Sequence, residues 1–352
     1  MRGRPLDNDS GDAELTVAVA ELTGVREGER IAITPIHGGR NNRVYKVEGV
    51  GDPLLLKRYY SEGSDSRDRF AAERGFYGVI ESAGVTEAPQ AIGWDSARRL
   101  GLLSFIVGRK LEDAEVDAEA IDRALAFVSR LNRDRRSPAA LALGDASEAC
   151  FSIVRHLDVV DGRVRRMSDI AGSGEDTERA KAFVASRLMP IWKSICEEID
   201  GRAREQRLRP ERELTTDERC ISPSDLGFHN AIRREDGMLA FFDFEYAGWD
   251  DPAKLICDFF CQQQKPVPLT HWDRVVASMS SSVGENSDYA RRAALLLPVY
   301  QVKWCCIILN DFLAADSARR SFAEGASPAG GKKARQLAAA EMLHDTIAAR
   351  RS

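Results

Sequence analysis

The sequence predicts an α+β protein of two lobes, a small first lobe built on an antiparallel sheet and a larger, mostly helical second lobe. Three observations lead to this fold class. Short apolar segments bounded by glycine or charged residues dominate residues 13–107, as is typical of strands. Helical spacing of apolar residues dominates residues 108–352. A chain of 352 residues is also long enough to bury two cores around a shared cleft.

Composition and charge narrow the class of protein. Hydrophobic residues make up 43% of the chain and charged residues 30%, as in soluble globular proteins. The net charge of −5 argues against non-specific binding to nucleic acids, which needs a basic surface. No stretch approaches about 18 uncharged apolar residues, so no membrane-spanning helix is expected. Residues 1–12 lack the apolar core of a signal peptide and are expected to form a disordered tail.

The seven cysteines indicate a reducing compartment. Their number is odd, no pair has the C-x-x-C spacing, and most lie in apolar segments. We therefore expect buried, reduced thiols in a cytoplasmic protein. Cys257 and Cys261 are one helical turn apart, yet no histidine or third cysteine stands nearby to complete a metal site. The oligomeric state stays open.

The first lobe begins with a helix over residues 13–25 and continues as strand, glycine turn and strand over residues 30–47. In the turn, Gly38, Gly39 and Asn42 allow backbone amides to point towards a phosphate. An ordinary hairpin turn would have the same composition, and the G-x-G-x-x-G spacing is missing. Both interpretations therefore stay open at this point.

A lysine and a glutamate of the first lobe are expected to form an ion pair. Lys57 follows the apolar strand residues 54–56, and Glu73 lies on the inward stripe of a helix predicted over residues 65–82. A carboxylate in that place needs a partner, and Lys57 is the natural one. Taken singly, Lys57 could be a lysine that extends to the surface at a sheet edge, and Glu73 a residue of a solvated helix face.

The second lobe is predicted to be mainly helical from residue 116 onwards. Asp251 before Pro252 is a good N-cap for one of its helices. Asp258 lies inside that helix among apolar residues, so we expect it to be buried and to support the preceding loop through hydrogen bonds. The other predicted segments are a short helix over 146–156, a helix over 178–199 that Pro190 kinks or splits, an apolar segment over 293–313 with a kink or start at Pro298, and a last helix over 335–347.

Residues 221–243 contain the pattern that points to chemistry. Asp225 lies in a polar, turn-prone loop, Asn230 follows five positions later, and an apolar strand after the turn at 236–237 runs directly into Asp243. Taken alone, each could be a turn residue or a cap. Together they form the set that phosphoryl transfer from a nucleotide requires. One carboxylate orients the attacking hydroxyl, and an amide and a second carboxylate hold Mg²⁺ on the phosphates.

At these residues the chain resembles the aminoglycoside phosphotransferase and choline kinase family, which has a protein-kinase-like fold. The family's catalytic loop carries an Asp followed five residues later by an Asn, matched here by Asp225 and Asn230. Its metal-binding Asp on the next strand is matched by Asp243. By the spacing of its motifs, the resemblance covers roughly residues 15–345.

The sequence departs from the family pattern at two places in this loop. The usual His-Gly before the catalytic Asp is Pro223-Ser224 here, and Gly227 stands in the place of a frequent His. Phosphoryl transfer remains chemically plausible with these changes, but they weaken assignment to a particular subfamily.

The resemblance implies an ATP- and Mg²⁺-dependent kinase that phosphorylates a hydroxyl group of a small molecule. Lys57, held by Glu73, would position the α- and β-phosphates, as the strand lysine and helix glutamate do in kinases. Asp225 would act on the acceptor hydroxyl, and Asn230 and Asp243 would hold Mg²⁺. The loop with Gly38, Gly39 and Asn42 would cover the phosphates. Backbone groups that would hold the adenine belong to the linker near residue 107, at Ser104, Phe105 and Ile106.

Two further interpretations keep the fold and change the function. One is a pseudokinase that acts through nucleotide or protein binding, and the other transfers AMP instead of phosphate. The full set of phosphoryl-transfer residues favours phosphate transfer.

The acceptor stays open among sugars, amino alcohols and aminoglycoside-like molecules. An amine or quaternary ammonium would suit a cleft beside Trp249 or Trp304, with acids at Glu245, Asp250 and Asp251. These residues could equally be core and caps.

Overall fold

The first lobe is built on a five-stranded antiparallel sheet. The computed structural model describes residues 9–25, 30–36, 42–60, 68–281, 288–313 and 331–351. The strands are β1 (Ala32–Ile36), β2 (Arg43–Glu48), β3 (Leu54–Arg58), β4 (Ala91–Asp95) and β5 (Leu100–Ser104). Their order in the sheet is β1-β2-β3-β5-β4. The predicted turn residues Gly38 and Gly39 lie outside the described residues.

One helix covers the sheet from outside. α1 (Asp9–Thr23) buries Leu15, Ala18 and Val19 in the same core as the sheet residues, at the spacing of an apolar helix stripe. It starts four residues before the predicted lobe boundary at residue 13. Residues 9–12 therefore belong to this helix and not to the expected tail.

A second helix lies between the sheet and the second lobe, whose buried core includes its residues Phe76, Tyr77 and Ile80. α2 (Arg69–Ser82) begins later than predicted because Asp68 caps it, with its carboxylate accepting a hydrogen bond from the Ala71 N–H. Glu73 and Phe76 of this helix are almost fully buried, as the predicted inward stripe requires. This placement brings the Glu73 carboxylate under the sheet.

The second lobe contains the remaining elements. Its helices are α3 (Ala118–Leu131), α4 (Pro138–Ala142), α5 (Ile153–Arg166), α6 (Glu175–Phe183), α7 (Met189–Glu205), α8 (Pro252–Cys261), α9 (Trp272–Ser278), α10 (Tyr289–Leu309) and α11 (Lys332–Arg351). Its short strands are β6 (Gly108–Arg109), β7 (Cys220–Ser222), β8 (Ala231–Arg234), β9 (Leu239–Phe241) and β10 (Gly248–Asp250). β7 pairs with β10, while β8 pairs with β6 and β9.

A long apolar helix lies in the middle of this lobe. α10 packs against α5, α7, α8 and α11, and it runs unbroken through Pro298, where a kink or start was predicted. Residues Tyr289–Phe312 are long and apolar enough to cross a membrane by length and composition, a test that core helices also pass. Its buried position fits a core helix.

Most of α5 was missed by sequence analysis. The prediction placed a short helix over residues 146–156, whereas α5 covers Ile153–Arg166. Two polar side chains, His156 and Arg163, lie on its buried face and interrupt the apolar stripe that would have revealed it.

The helical segment around Pro190 changes its winding but is not split in two. α6 ends at Phe183, a π-helical turn follows over Val184–Leu188, and α7 begins directly at Met189. The Met189 N–H donates to the Val184 oxygen across this turn, and the wider turn before Pro190 accommodates a residue that has no N–H to donate. α7 continues to Glu205, into the charged stretch that was expected to be solvated.

All seven cysteines are free thiols, and six of them are buried. Burial raises the pKa of each of these thiols, including Cys220 and Cys257 in the second-lobe core. The expectation of buried, unpaired thiols is confirmed.

Candidate active site

Lys57 lies on β3 with its ammonium between two carboxylates. Its Nζ is 2.7 Å from Glu73 Oε2 and 2.5 Å from Asp243 Oδ1. Burial disfavours the charged amine, but the charges of Asp243 and Glu73 outweigh it and raise the pKa of Lys57 well above its usual value. The ion pair expected between Lys57 and Glu73 is present.

Glu73 joins the two lobes through both of its oxygens. Oε2 also accepts a hydrogen bond from the Tyr59 hydroxyl at 2.8 Å. Oε1 accepts from the backbone N–H of Phe244 at 3.0 Å. Phe244 directly follows Asp243, so one carboxylate fixes α2 both to β3 and to the chain beside the predicted metal ligand.

Asp243 leaves a buried strand and reaches the cleft. All three residues of β9 are buried, whereas the side chain of Asp243 is 39% exposed. Its backbone φ is +69°, in the left-handed region. Such a conformation costs a non-glycine residue roughly 1–3 kcal/mol and persists where the surroundings fix it, often at functional sites.

Asp225 and Asn230 lie together in the loop between β7 and β8. Asn230 Nδ2 donates to the Asp225 backbone oxygen at 3.1 Å and to its Oδ2 at 3.3 Å. Because the amide nitrogen faces Asp225, the amide oxygen faces away from it. The Phe242 N–H donates to the Asn230 backbone oxygen at 3.1 Å, which brings this loop alongside the residue before Asp243.

The environment of Asp225 favours its ionised form. Burial alone would raise the pKa of Asp225, but hydrogen bonds from His229 and Asn230 and the nearby charges of His229 and Lys303 hold it below its usual value. His229 Nε2 lies 3.4 Å from Asp225 Oδ1. The side chain of Asp225 remains 33% exposed, so an ionised carboxylate is accessible from the cleft.

Asn42 of the first lobe contacts Glu245, two residues beyond Asp243. Its Nδ2 donates to Glu245 Oε2, and its Oδ1 accepts from the Tyr60 N–H at 3.2 Å. Arg69 Nε lies 3.6 Å from the other oxygen of Glu245. Burial and the charge of Asp243 raise the pKa of Glu245 to about 7. The placement of Asn42 at the phosphates stays a prediction, and its side chain is bonded to this buried carboxyl group.

Two backbone N–H groups of the linker between the lobes already have hydrogen-bond acceptors within the protein. The Ser104 N–H donates to the Gln90 oxygen at 2.8 Å, and the Phe105 N–H donates to the Pro53 oxygen at 3.1 Å. A nucleotide base that used these two N–H groups would have to replace those bonds. Ile106 follows as a half-buried residue before β6. A cavity of about 460 Å³ borders the linker and the turn between β8 and β9.

A sequence profile of the phosphotransferase enzyme family matches residues 32–260, close to two thirds of the chain. The chain belongs to this phosphotransferase family. The match spans both lobes and includes the interlobe residues and the loop between β7 and β8 described above. No curated protein sequence matches the chain significantly.

Solved structures with the same two-lobed, protein-kinase-like fold include choline kinases and an antibiotic phosphotransferase. A choline kinase from Cryptosporidium parvum has 12% identity and a TM-score of 0.56, covering 96% of this chain and 97% of its own. The choline kinase LicA from Streptococcus pneumoniae also has 12% identity and a TM-score of 0.56, covering 96% and 100%. A spectinomycin phosphotransferase solved with ADP and spectinomycin has 13% identity and a TM-score of 0.51, covering 92% and 98%.

The phosphotransferase has side chains that suit Mg²⁺ at Asn230 and Asp243. An amide oxygen and a carboxylate are hard oxygen ligands, and Mg²⁺ in nucleotide sites takes one or two carboxylates together with phosphate oxygens. Within the described ranges, no group of three or more His, Cys, Asp and Glu side chains could hold a metal. A Mg²⁺ ion here would therefore depend on oxygens of the nucleotide.

Two residues of the phosphotransferase site were not found from sequence. Lys110, just beyond the linker, donates from Nζ to the His229 backbone oxygen at 2.6 Å and lies 4.2 Å from the centre of the Phe242 ring. Burial lowers the pKa of Lys110. His229 follows Asp225 by four positions, a spacing that could have suggested contact, whereas nothing in the sequence distinguished Lys110.

The acids expected to receive a cationic acceptor are occupied in the phosphotransferase by internal cations. Asp250 Oδ2 lies 2.6 Å from Lys254 Nζ. Asp251 pairs with His156 at 2.9 Å and with Arg292, and its carboxylate also caps α8 as predicted. Both aspartates are fully buried.

The two indoles behave differently from each other. Trp249 is 8% exposed and donates from Nε1 to the Ala140 oxygen at 2.9 Å, so it belongs to the core. Trp304 is half-buried and donates from Nε1 to Asp258 Oδ1 at 2.8 Å. The predicted placement of an indole at an acceptor cleft is therefore wrong for Trp249, and Trp304 already uses its donor within the protein.

Proposed function

We propose that this chain is a kinase that transfers the γ-phosphate of ATP to a hydroxyl group of a small molecule, with Mg²⁺ as its metal. The observation that carries the proposal is the Lys57 ammonium between Glu73 and Asp243, beside a loop that pairs Asp225 with Asn230. Family membership and this constellation support the same chemistry.

Each residue has a separate role in the proposed transfer. Lys57 exchanges its contact with Asp243 for contacts to the nucleotide phosphates. Asp225 accepts a hydrogen bond from the acceptor hydroxyl and receives its proton as the hydroxyl oxygen bonds to the γ-phosphorus. The bond from that phosphorus to the bridging oxygen breaks, and ADP leaves with the electron pair. Asn230 and Asp243 hold Mg²⁺, which when bound offsets the charge of the phosphates.

We further propose that the acceptor is uncharged, such as a sugar or another polyol. A quaternary ammonium or amine needs acids and aromatic faces that are free to receive it. Asp250, Asp251 and Asp258 are each paired with cations of the chain itself, and Trp249 is core. Binding a cation there would leave a buried lysine or arginine without its partner, which is costly.

A product analysis with Mg-ATP tests both parts. Neutral sugars, amino alcohols and aminoglycosides are offered in parallel, ADP release is followed, and product masses are determined. We expect ADP release and a product heavier by one phosphoryl group, with neutral acceptors preferred over cationic ones in kcat/KM. Asp225→Asn serves as the control for contaminating kinases.

The other outcomes have distinct meanings. A product heavier by an AMP group would replace phosphate transfer with nucleotidyl transfer. Nucleotide binding without turnover of any acceptor would favour the pseudokinase. Faster turnover of choline or an aminoglycoside than of every neutral acceptor would contradict the proposed acceptor class while leaving the kinase assignment in place.

A further inference from the structure

The residue before Asp225 holds an unusual backbone conformation. Ser224 has a φ of +63°, and the Asp225 N–H donates to the Pro223 oxygen at 2.8 Å across it. This is a three-residue γ-turn with a left-handed central residue, a rare and strained form. It costs a non-glycine residue roughly 1–3 kcal/mol, so contacts around Ser224 must hold it. Glycine adopts this region freely, and the family pattern described above has glycine in this position.

Two hydrogen bonds hold Ser224 in the turn. Its N–H donates to Ser222 Oγ at 2.9 Å, and its own Oγ accepts from Lys254 Nζ at 3.0 Å. Lys254 lies in α8 and is 1% exposed. Its element follows β10, and β10 pairs with β7 directly before the catalytic loop. The lysine therefore reaches the loop from a helix that is fixed to the same strand pair.

Besides Ser224, the ammonium of Lys254 contacts two buried carboxylates. It donates to Asp250 Oδ2 at 2.6 Å and lies 3.6 Å from Asp258 Oδ2. Asp258 also accepts from Lys303 at 3.0 Å, so the arrangement extends to α10. A complete buried ion pair can often be replaced by apolar residues without loss of stability, whereas removal of one partner alone is destabilising. The stability of the fold does not by itself account for a buried lysine at this position. Its hydrogen bond to Ser224 suggests a role in shaping the catalytic loop.

We propose that Lys254 is a positioning residue for phosphoryl transfer, which holds Ser224 in the strained turn and thereby aims the Asp225 carboxylate at the acceptor. This inference rests on the proposed function. Lys254 itself contacts neither the nucleotide nor the acceptor in this role. It acts through Ser224, so removing either partner should have the same consequence.

The test compares Ser224→Ala, Ser224→Gly and Lys254→Met, together with Lys254→Met in each Ser224 background. We expect Ser224→Ala and Lys254→Met each to lower kcat by about 10- to 100-fold, the scale of a displaced catalytic group, with little change in KM for ATP. The double variant with Ser224→Ala should lose no more than either single variant. Ser224→Gly accepts the turn without the lysine, so its turnover should exceed that of Ser224→Ala and should not change when Lys254→Met is added.

Arg292→Met is the matched control, because Arg292 is also a buried second-lobe cation but pairs with Asp251 and not with the loop. It should lower Tm and leave kcat per folded molecule unchanged. Full turnover in Ser224→Ala, or losses that multiply in the double variant, would overturn the proposal. If Lys254→Met does not fold, the proposal can still be tested with the two Ser224 variants and with Lys254→Arg. The arginine keeps a hydrogen-bond donor, so Lys254→Arg should retain turnover.

Crystal structures of the wild type and Ser224→Ala separate this proposal from the proposed function. We expect the variant to lose the positive φ and to shift the Asp225 carboxylate. An unchanged turn and carboxylate in the variant would overturn the positioning role even if no acceptor were ever phosphorylated. A wild type inactive towards all acceptors would overturn the kinase assignment alone.

Discussion

Two groups of buried charges, one between the lobes and one inside the second lobe, use the same residue types in different proportions. The interlobe cluster consists of Lys57, Glu73 and Asp243, with one ammonium for two carboxylates. The second-lobe cluster, Asp250, Lys254, Asp258 and Lys303, has two of each.

The two clusters also differ in how much of their side chains is exposed to solvent. Every side chain of the second-lobe cluster is at most 7% exposed, whereas Asp243 of the interlobe cluster is 39% exposed. A balanced and closed set of charges fixes helices to one another. A set with an extra, accessible carboxylate leaves negative charge at the cleft, where a divalent cation and phosphates can be received. We infer that charge balance together with exposure separates binding sites from internal supports in this fold.

The largest expected effect is a loss of turnover on substitution of the carboxylates at the cleft. Asp225→Asn should lower turnover by about 10²-fold or more, since a positioned base is lost, while nucleotide binding stays largely intact. Asp243→Asn should instead weaken Mg²⁺-dependent nucleotide binding, because it removes a formal charge from the metal site. Thermal shift with Mg-ATP and ADP release measure the two effects. Equal loss of nucleotide binding in both variants would refute the division of roles.

Asp258 of the closed cluster should affect stability before it affects nucleotide binding. Asp258→Ala leaves Lys303 and the Trp304 N–H without their shared acceptor, and we expect a loss of about 3–5 kcal/mol, the scale for breaking a buried ion pair. A lowered Tm in thermal denaturation, with nucleotide affinity of the folded fraction retained, is the expected result. An unchanged Tm would show that the second-lobe cluster is not a structural support.

An intermediate effect is expected for Glu73→Gln. The amide can still accept from the Phe244 N–H, so Tm should change little, but Lys57 loses one of its two compensating charges. Charge-assisted hydrogen bonds contribute about 1.5–3 kcal/mol, so ATP affinity should fall about 10-fold or more in calorimetric titration. Tight ATP binding by this variant would mean that Lys57 is held by Asp243 alone.

The smallest effect concerns a charge outside both clusters. Asp68→Ala removes the cap of α2 and should cost about 1 kcal/mol at neutral pH. Hydrogen bonds from Arg99 and the Ala71 N–H hold the pKa of Asp68 below its usual value, against the effect of partial burial. The stabilisation is thus present above the unfolded pKa near 4 and is lost as the pH falls through the lower folded pKa. The Tm difference between the two proteins should therefore shrink below about pH 4.

Sequence predicted the parts of the site that depend on local spacing. The interval between Asp225 and Asn230 and the apolar run into Asp243 are visible in the chain, and the inward stripe of α2 placed Glu73 near Lys57. Pairing of β8 with β9 brings Asn230 near Asp243, whereas the contact of Lys57 with Asp243 joins two separate sheets and depends on the packing of the lobes. Their roles in binding and catalysis stay predictions.

Contacts between distant segments were not predictable in the same way. Asn42 and Glu245 are 203 positions apart, and neither carries a local pattern that names its partner. Lys254 follows Asp250 and precedes Asp258 by four positions each, a spacing that could have signalled their contact, but its bond to Ser224 depends on the packing of α8 on β7. The linker residue Phe105 donates to Pro53 because it continues the pairing of β5 with β3 beyond Ser104 and Leu54, which composition does not reveal.

The double attachment of Glu73 determines how the cleft can open. If the sheet rotates away from the second lobe, Glu73 must release either Lys57 and Tyr59 or the Phe244 N–H. The first set includes a charge-assisted bond, whereas the second is a single backbone donor that is reinforced by packing, because Phe76 and Tyr77 of α2 contact the Phe244 ring in the core that α2 shares with the second lobe. α2 could follow the sheet only by breaking this packing, so the sheet would separate from Glu73 at Lys57 and Tyr59. Opening of the cleft would thus remove Lys57 from both of its carboxylates at once, since Asp243 also stays with the second lobe.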